Sequence, residues 1–183
     1  MKEIETRIID IDVEQIRIKL LKINAKKVKQ ENQINNIYDF SDKRLLNNKG
    51  YARIRTIHDE LTNSIVHYIT TKKLISQEKY KIMDEHESEI KDEAAAIGIF
   101  EALGLKLIQS IKKYRESYKY KNTLIEIDIN EVEFCPFPYI EIECADEDEL
   151  EEVINLLGYN LEDTTSETIY EILKSKKLKM KYL

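Results

Sequence analysis

The feature of this chain that most restricts its fold is a series of segments in which charged and apolar side chains alternate. In residues 51–58, for example, Arg53 and Arg55 flank the apolar Ile54. Successive side chains of a β-strand point to opposite faces, so this alternation predicts a strand with one charged and one apolar face. On the same grounds, further strands are predicted over residues 2–11, 28–40, 64–73, 80–91, 106–121, 124–133 and 138–144.

The charged faces of several strands are sorted by sign. Two strands carry basic pairs and two carry acidic pairs: Arg53 with Arg55, Lys113 with Arg115, Glu126 with Asp128, and Glu141 with Glu143. An ordinary sheet with its polar face in water explains any one of these strands. Like charges on one face repel, however, and inside a lumen they need partners of opposite sign or ligands. Taken together, the strands favour a sheet curled into a tunnel with separate basic and acidic patches.

Amphipathic helices are predicted to cover the outward apolar faces of these strands. Three of them start after the N-capping residues Asp12, Asp92 and Asp146. A fourth is predicted to start near Thr164, with Glu167 completing a capping box. Strands mixed with helices in this way indicate the α+β class with a closed or strongly curved antiparallel sheet. The length of 183 residues suits a single domain over residues 1–183.

Composition excludes several classes of function. The formal net charge of −6 argues against a globally basic nucleic-acid binder, although it allows a local basic pocket. The sequence has no apolar run near the roughly 20 residues that a membrane-spanning helix needs. Its two cysteines, Cys135 and Cys144, lack metal-ligand spacing and suit reduced thiols. Because a charged strand pattern begins at the N-terminus, we expect no targeting segment and a cytoplasmic location.

A tunnel of this kind has the chemistry to hold a metal–polyphosphate ligand. Arginine and lysine side chains bind phosphate oxygens, and arginine does so with two parallel hydrogen bonds. Paired carboxylates provide the hard oxygen ligands that Mg²⁺ or Mn²⁺ prefers. Phosphoryl chemistry depends mainly on positioning and on charge neutralisation, which both groups supply.

The motifs, in their order along the chain, resemble the CYTH domain family, also called the triphosphate tunnel family, which contains class IV adenylate cyclases and small triphosphatases. The family opens with Glu-x-Glu-x-Lys, and this chain opens with Glu3-Ile4-Glu5-Thr6-Arg7. The other family motifs resemble Tyr51-Ala52-Arg53-Ile54-Arg55, Thr70-Thr71-Lys72, Glu85 to Glu89 followed by Leu103-Gly104, Lys113-Tyr114-Arg115, Asp128, and Glu141-Ile142-Glu143.

This resemblance implies an eight-stranded antiparallel closed β-tunnel with amphipathic helices packed outside. It implies that Mg²⁺ or Mn²⁺ is held by Glu3, Glu5, Asp128, Glu141 and Glu143. It also implies that the triphosphate is held by Arg53, Arg55, Lys72, Lys113 and Arg115. Arg7 and Glu87 are the candidate catalytic residues, with the role of the Glu87 carboxylate left open.

Two positions depart from the family pattern. Arg7 stands where the family has lysine, and because arginine does not lose its proton it cannot act as a general base. Arg7 can still clamp a phosphate or stabilise developing charge. Met83 stands where the family has an arginine, which removes one expected phosphate contact.

Three functions remain open on these residues. The first is hydrolysis of the terminal phosphate of tripolyphosphate or of an organic triphosphate such as ATP. The second is cyclisation of ATP to cyclic AMP and pyrophosphate, since the same tunnel can present either phosphorus to a nucleophile. The third is a non-catalytic module that binds polyphosphate or nucleotide. In each case the expected partner is a triphosphate-bearing small molecule, and the protein is expected to be a monomer or a homodimer.

Overall fold

The computed structural model describes residues 4–176, and its central feature is a closed antiparallel barrel of eight strands. The strands are β1 (Ile4–Ile9), β2 (Lys26–Asp39), β3 (Gly50–Asp59), β4 (Ser64–Gln77), β5 (Lys81–Ile90), β6 (Lys106–Tyr120), β7 (Thr123–Asn130) and β8 (Tyr139–Cys144). Around the barrel they follow the order β1-β5-β4-β3-β2-β6-β7-β8. The predicted α+β class and closed eight-stranded sheet are confirmed.

Within residues 4–176, five helices and one 3₁₀ turn surround or cap the barrel. They are α1 (Val13–Lys22), α2 (Arg44–Asn47), α3 (Glu93–Ala102), α4 (Glu147–Leu156), the 3₁₀ turn Leu161–Asp163, and α5 (Ile169–Ser175). The three predicted N-caps are confirmed, because each aspartate carboxylate accepts a hydrogen bond from a backbone N–H three residues later. Within residues 4–176, no helix combines the length and apolarity needed to cross a membrane.

The predicted start of the last helix near Thr164 is wrong. Residues 164–168 are extended, and the backbone N–H and C=O of Thr165 pair with those of Arg7 at 2.8 and 3.0 Å. These hydrogen bonds to β1 engage the N–H and C=O of Thr165, which a helix starting near Thr164 would need for its own hydrogen bonds. The helix begins instead after Thr168, which forms a capping box with Glu171.

The largest apolar core lies outside the barrel, as the alternation predicts. Four isoleucines of β7 and β8 point outward and are fully buried: Ile125, Ile127, Ile140 and Ile142. They pack against α1 and α4, whose apolar stripes include Ile16, Leu20, Leu150 and Ile154. Full burial of such a side chain contributes about 1.5–3 kcal/mol. This packing holds the acidic residues of β7 and β8 towards the lumen.

Two smaller cores fix the other helices. Helix α3 places Phe100 against Tyr38 of β2, with the ring centroids 5.1 Å apart. Helix α5 buries Ile172 and Leu173 in a cluster that includes Phe134. Because this cluster also contains lumen-lining residues of the barrel, α5 lies over one end of the tunnel.

Glu171 ties α5 to the barrel. Its carboxylate accepts a hydrogen bond from Gln77 of β4 at 2.8 Å and forms an ion pair with Lys49 at 2.7 Å. Burial raises the pKa of this carboxyl, but the hydrogen bonds from Lys49, Gln77 and Thr168 outweigh burial and lower the pKa to about 2.

This lowered pKa predicts how the stability depends on pH. A carboxyl whose pKa is lower in the folded than in the unfolded state stabilises the fold above its unfolded pKa of 4.5, and this contribution is lost as the pH falls towards 2. We therefore expect Glu171→Gln to have a lower free energy of unfolding than the unchanged protein at pH 7. The difference between the two proteins should disappear as the pH falls from 4.5 to 2. Urea unfolding of both proteins at several pH values measures this difference. A difference that stays constant over this range would contradict the lowered pKa of Glu171.

Candidate functional site

The barrel encloses a cavity of about 620 Å³, a volume typical of small-molecule sites. All eight strands contribute side chains to its walls, and α5 and the segment around α2 line one end. Inward-facing residues follow every second position of each strand, as the period of a strand requires. Every predicted site residue within residues 4–176 lines this cavity except Asp128, which lies buried against two of the lining cations. Glu3, a predicted metal ligand, lies outside the described residues.

One part of the wall is basic. The five predicted phosphate-binding residues lie here on three strands: Arg53 and Arg55 on β3, Lys72 on β4, and Lys113 and Arg115 on β6. Their side chains are between 9% and 18% exposed, so most of their charge faces the lumen rather than bulk solvent. Buried cations of this density need anions close by.

The opposite part of the wall is acidic. In the strand register Glu5 lies across from Glu143, and Glu126 lies across from Glu141. Residues opposite each other in an antiparallel pair have neighbouring side chains, so these strands bring four carboxylates together. Carboxylate oxygens of Glu126, Glu141 and Glu143 all lie within 4.8 Å of one another. This spacing is close enough for one cation to contact all three.

Two carboxyls of this cluster have pKa shifts in opposite directions. Burial and the neighbouring Glu126 and Glu5 raise the pKa of Glu143 to about 8. Burial also disfavours the Glu141 carboxylate, but Arg7 and Arg115 outweigh it and hold the Glu141 pKa well below its usual range. The crowding of carboxylates around Glu143 is the electrostatic environment that a bound cation would relieve.

Asp128 differs from the other acidic residues. Its side chain is fully buried and accepts two 2.6 Å hydrogen bonds from Arg115 and one of 2.9 Å from Lys113. Its oxygens are therefore engaged by cations rather than by the carboxylate cluster. The sequence prediction named Asp128 as a metal ligand and omitted Glu126, although both belong to the same alternating segment.

Arg115 joins the basic and acidic parts of the wall. Its guanidinium forms ion pairs with Glu126, Asp128 and Glu141. These contacts, with burial opposing them, raise its pKa well above the ordinary arginine value. A side chain held by three carboxylates has little hydrogen-bonding capacity left for a phosphate, so its main effect is to neutralise the acidic strands.

Arg7 lies beside the carboxylate cluster at the centre of the tunnel. It contacts Glu5 and Glu141, and it donates a 2.7 Å hydrogen bond to the carbonyl oxygen of Glu167. Burial opposes its charge, but Glu141 and Glu5 raise its pKa above the ordinary value. Arg7 is therefore a fixed positive charge and cannot exchange a proton with a substrate.

Lys81 is a lumen cation that the sequence analysis did not identify. Its side chain is only 6% exposed, and its ammonium contacts the Glu5 carboxylate. Burial and the nearby Arg7 lower the pKa of Lys81. It lies two positions before Met83 on the same face of β5, and this period-two spacing was the signal that could have indicated it.

Several buried donors in the lumen have no partner within residues 4–176. They are the Nε atoms of Arg7, Arg53 and Arg55, and the side-chain amide nitrogen of Asn130. Leaving a buried donor unpaired costs about 1–3 kcal/mol. Four such donors in one cavity indicate a site built for a ligand rich in oxygen acceptors.

A family model for the CYTH domain matches residues 1–169. The chain belongs to the CYTH family. The resemblance found in the sequence motifs is thereby confirmed. A search of curated proteins finds no match.

Solved structures share the fold of this CYTH protein. The PH1012 protein of Pyrococcus horikoshii OT3 is 25% identical, with a TM-score of 0.75 over 92% of this chain and 98% of that chain. A Vibrio parahaemolyticus protein described as an adenylate cyclase candidate is 15% identical, with a TM-score of 0.74 over 95% and 98% of the two chains. The Hippeastrum adenylyl cyclase homologue HpAC1, described as having a dominant triphosphatase activity, is 16% identical with a TM-score of 0.67 over 100% of both chains.

Proposed function

We propose that this CYTH protein is a divalent-metal-dependent enzyme that hydrolyses the terminal phosphate of tripolyphosphate or of an organic triphosphate. The observation that carries the proposal is the pairing of two features in one enclosed cavity. Buried guanidinium donors without partners lie on one wall, and a compact carboxylate cluster lies on the other. A metal–triphosphate ligand matches both walls at once.

The basic wall would hold the phosphate chain. Arg53 and Arg55 lie along β3, and Lys72 of the adjacent β4 is the register partner of Tyr51, one inward position before Arg53, so the three charges are close together on this wall. Burial and the neighbouring Arg53 lower the pKa of Arg55, with Glu87 opposing them. A bound phosphate would supply further negative charge and accept hydrogen bonds from the unpaired Nε donors.

The acidic wall fits a divalent cation. The Glu126, Glu141 and Glu143 oxygens are hard donors within 4.8 Å of one another, and Glu5 is the strand partner of Glu143. When bound, Mg²⁺ or Mn²⁺ would neutralise phosphate charge and polarise the reacting oxygen. Glu3, Glu5 and Asp128 remain proposed members of the wider ligand set. Of these, Asp128 would first have to exchange its bonds to Arg115 and Lys113.

The remaining residues suit transfer of the terminal phosphoryl group to water. The oxygen of a water molecule forms a new bond to the terminal phosphorus as the bond from that phosphorus to the bridging oxygen breaks. The shortened diphosphate departs with the bridging oxygen, the transferred group becomes orthophosphate, and the proton lost by the water passes to solvent. Arg7 is placed to stabilise the charge that develops on the phosphoryl oxygens, because it is buried, permanently charged and has an unpaired Nε. Arg7 does not act as the general base.

Cyclisation of ATP is the second candidate, and one observation favours it. Apolar and aromatic side chains line the end of the cavity beneath α5, including Tyr51, Ile111, Phe134 and Tyr170. Such a surface suits the organic part of a nucleotide, which cyclisation requires and hydrolysis of tripolyphosphate does not. The third candidate, a binding module, is supported by the departures at Arg7 and Met83.

Product analysis separates the three candidates. The purified protein would be incubated with tripolyphosphate or ATP and with Mg²⁺ or Mn²⁺, and the products resolved by chromatography. We expect orthophosphate from both substrates, and we expect Glu5→Gln to abolish its release while phosphate binding through Arg53 and Arg55 persists. Glu89→Gln, an exposed position on β5, is the control.

The other outcomes assign the other functions. Cyclic AMP with pyrophosphate, and no reaction with tripolyphosphate, would identify a cyclase. No product under any condition, while tripolyphosphate still raises the melting temperature, would rule out both enzymatic functions and leave the binding module.

A further inference from the structure

Strand β5 carries three glutamates at alternate positions on one face: Glu85 and Glu87 line the cavity, whereas Glu89 is exposed to solvent. Two of them contact the cations of β3 and β4, although β5 is exposed along residues 84–89. Within residues 4–176, β1 pairs with β5 only at Lys81 and Ile82. The carboxylates therefore reach the basic wall from a strand that is open to solvent.

Glu87 makes the most extensive of these contacts. Its two oxygens each lie 2.9 Å from the same terminal nitrogen of Arg55, and one of them also lies 3.2 Å from a terminal nitrogen of Arg53. The hydroxyl of Thr70 donates a 2.7 Å hydrogen bond to the same carboxylate. Burial disfavours this carboxylate, but Arg55 and Thr70 outweigh burial and lower its pKa.

Glu87 accepts hydrogen bonds from only some of the donors that Arg53 and Arg55 offer. Glu87 uses terminal nitrogens of the two arginines, while the buried Nε atoms of both have no partner in the part of the chain that the structure describes. A carboxylate has two oxygens, whereas a terminal phosphate has three and can take the outer nitrogen and the Nε of a guanidinium together. Phosphate is therefore the better acceptor for the same two arginines.

We propose that Glu87 is an internal anion that pairs with Arg53 and Arg55 before substrate binds and is displaced by a substrate phosphate. The inference rests on the proposed triphosphate function and adds that this residue sets the affinity. Its side chain is 26% exposed, so it can turn towards solvent when phosphate enters. Asp128, which is fully buried, has no such route.

The competition has a measurable consequence. While Glu87 holds the arginines, a phosphate must break three charge-assisted contacts before it gains its own. Removing the carboxylate removes that cost and leaves the basic wall with more uncompensated charge. A residue that only positions the arginines would have the opposite effect, because its loss would weaken phosphate binding.

Calorimetric titration of the full chain with tripolyphosphate in the presence of EDTA measures binding without metal or turnover. We expect Glu87→Gln to bind about tenfold more tightly than the unchanged protein. Glu87→Asp, which is one methylene shorter, is expected to lie between them and keeps a carboxylate in case the glutamine variant fails to fold. Glu89→Gln removes the same charge from the same face, and because Glu89 has no ion pair within residues 4–176, its affinity should change by less than about twofold.

Each outcome has a distinct meaning. Tighter binding by the Glu87 variants, but not by Glu89→Gln, supports displacement of an internal anion. Equal or weaker binding by the Glu87 variants, while the unchanged protein binds, overturns this inference and leaves the triphosphate function intact. An equal gain for Glu89→Gln also overturns it, because net charge would then be the cause. Failure of all four proteins to bind also overturns the inference, because the basic wall would then not hold phosphate on its own, whereas the metal-dependent function is tested separately by the product analysis.

Discussion

Replacing Arg115 by leucine is expected to lower the free energy of unfolding by about 3–5 kcal/mol, which is a large share of the stability of a domain this size. The side chain is 10% exposed and neutralises three carboxylates: Glu126, Asp128 and Glu141. Its removal leaves buried negative charge without a partner, and the cost of that charge is larger than the net value of the ion pairs themselves.

Chemical denaturation at pH 7 without metal measures this loss. The matched control is Arg44→Leu, because Arg44 pairs with Asp42 on the surface, where both side chains are more than half exposed. Exposed pairs of this kind contribute little to stability, because water screens them. A similar small loss for both variants would contradict the central role of Arg115 in the acidic wall.

We also expect added Mg²⁺ or Mn²⁺ to restore part of the stability lost in Arg115→Leu, since a cation can replace the missing charge.

Replacing Arg55 by methionine is expected to have the converse effect, a large loss of activity with a small change in stability. Within residues 4–176 its ion-pair partner is Glu87, and its buried Nε has no partner. Its guanidinium is therefore held less firmly by the protein than that of Arg115. Loss of one preorganised donor to transition-state charge typically lowers kcat by about 100–1,000-fold, and we expect a loss of that order in kcat/KM.

Steady-state release of orthophosphate measures this effect, with thermal melting as the check on folding. Arg55→Lys keeps the positive charge but cannot form the bidentate hydrogen bonds of a guanidinium, so it should retain only part of the activity. Lys106→Met, at an exposed position at the start of β6, removes a positive charge outside the tunnel and serves as the control. Unchanged kcat/KM in Arg55→Met would exclude Arg55 from the phosphate site.

The sequence by itself determined the strands, their two faces and the starts of α1, α3 and α4. Alternation of charged and apolar residues is a local property of the backbone, so it shows which side of a strand Arg53 or Glu141 occupies before any partner is known. The caps at Asp12, Asp92 and Asp146 are equally local, because each aspartate bonds an amide three residues away. The order of the charged motifs was enough to indicate the family.

Only the tertiary structure decided which inward residues meet. Glu126 and Asp128 are equivalent in the sequence pattern. The register with β6 brings Asp128 into contact with Arg115 and Lys113, whereas the register with β8 places Glu126 beside Glu141. The period of β5 already places Lys81 on the inward face, but its ion pair with Glu5 depends on the pairing of β5 with β1. The late start of α5 depends on a pairing between Arg7 and Thr165, which are far apart in the chain. Period two fixes the face of a residue, whereas its neighbours depend on strand order and register, which are set by contacts across the whole barrel.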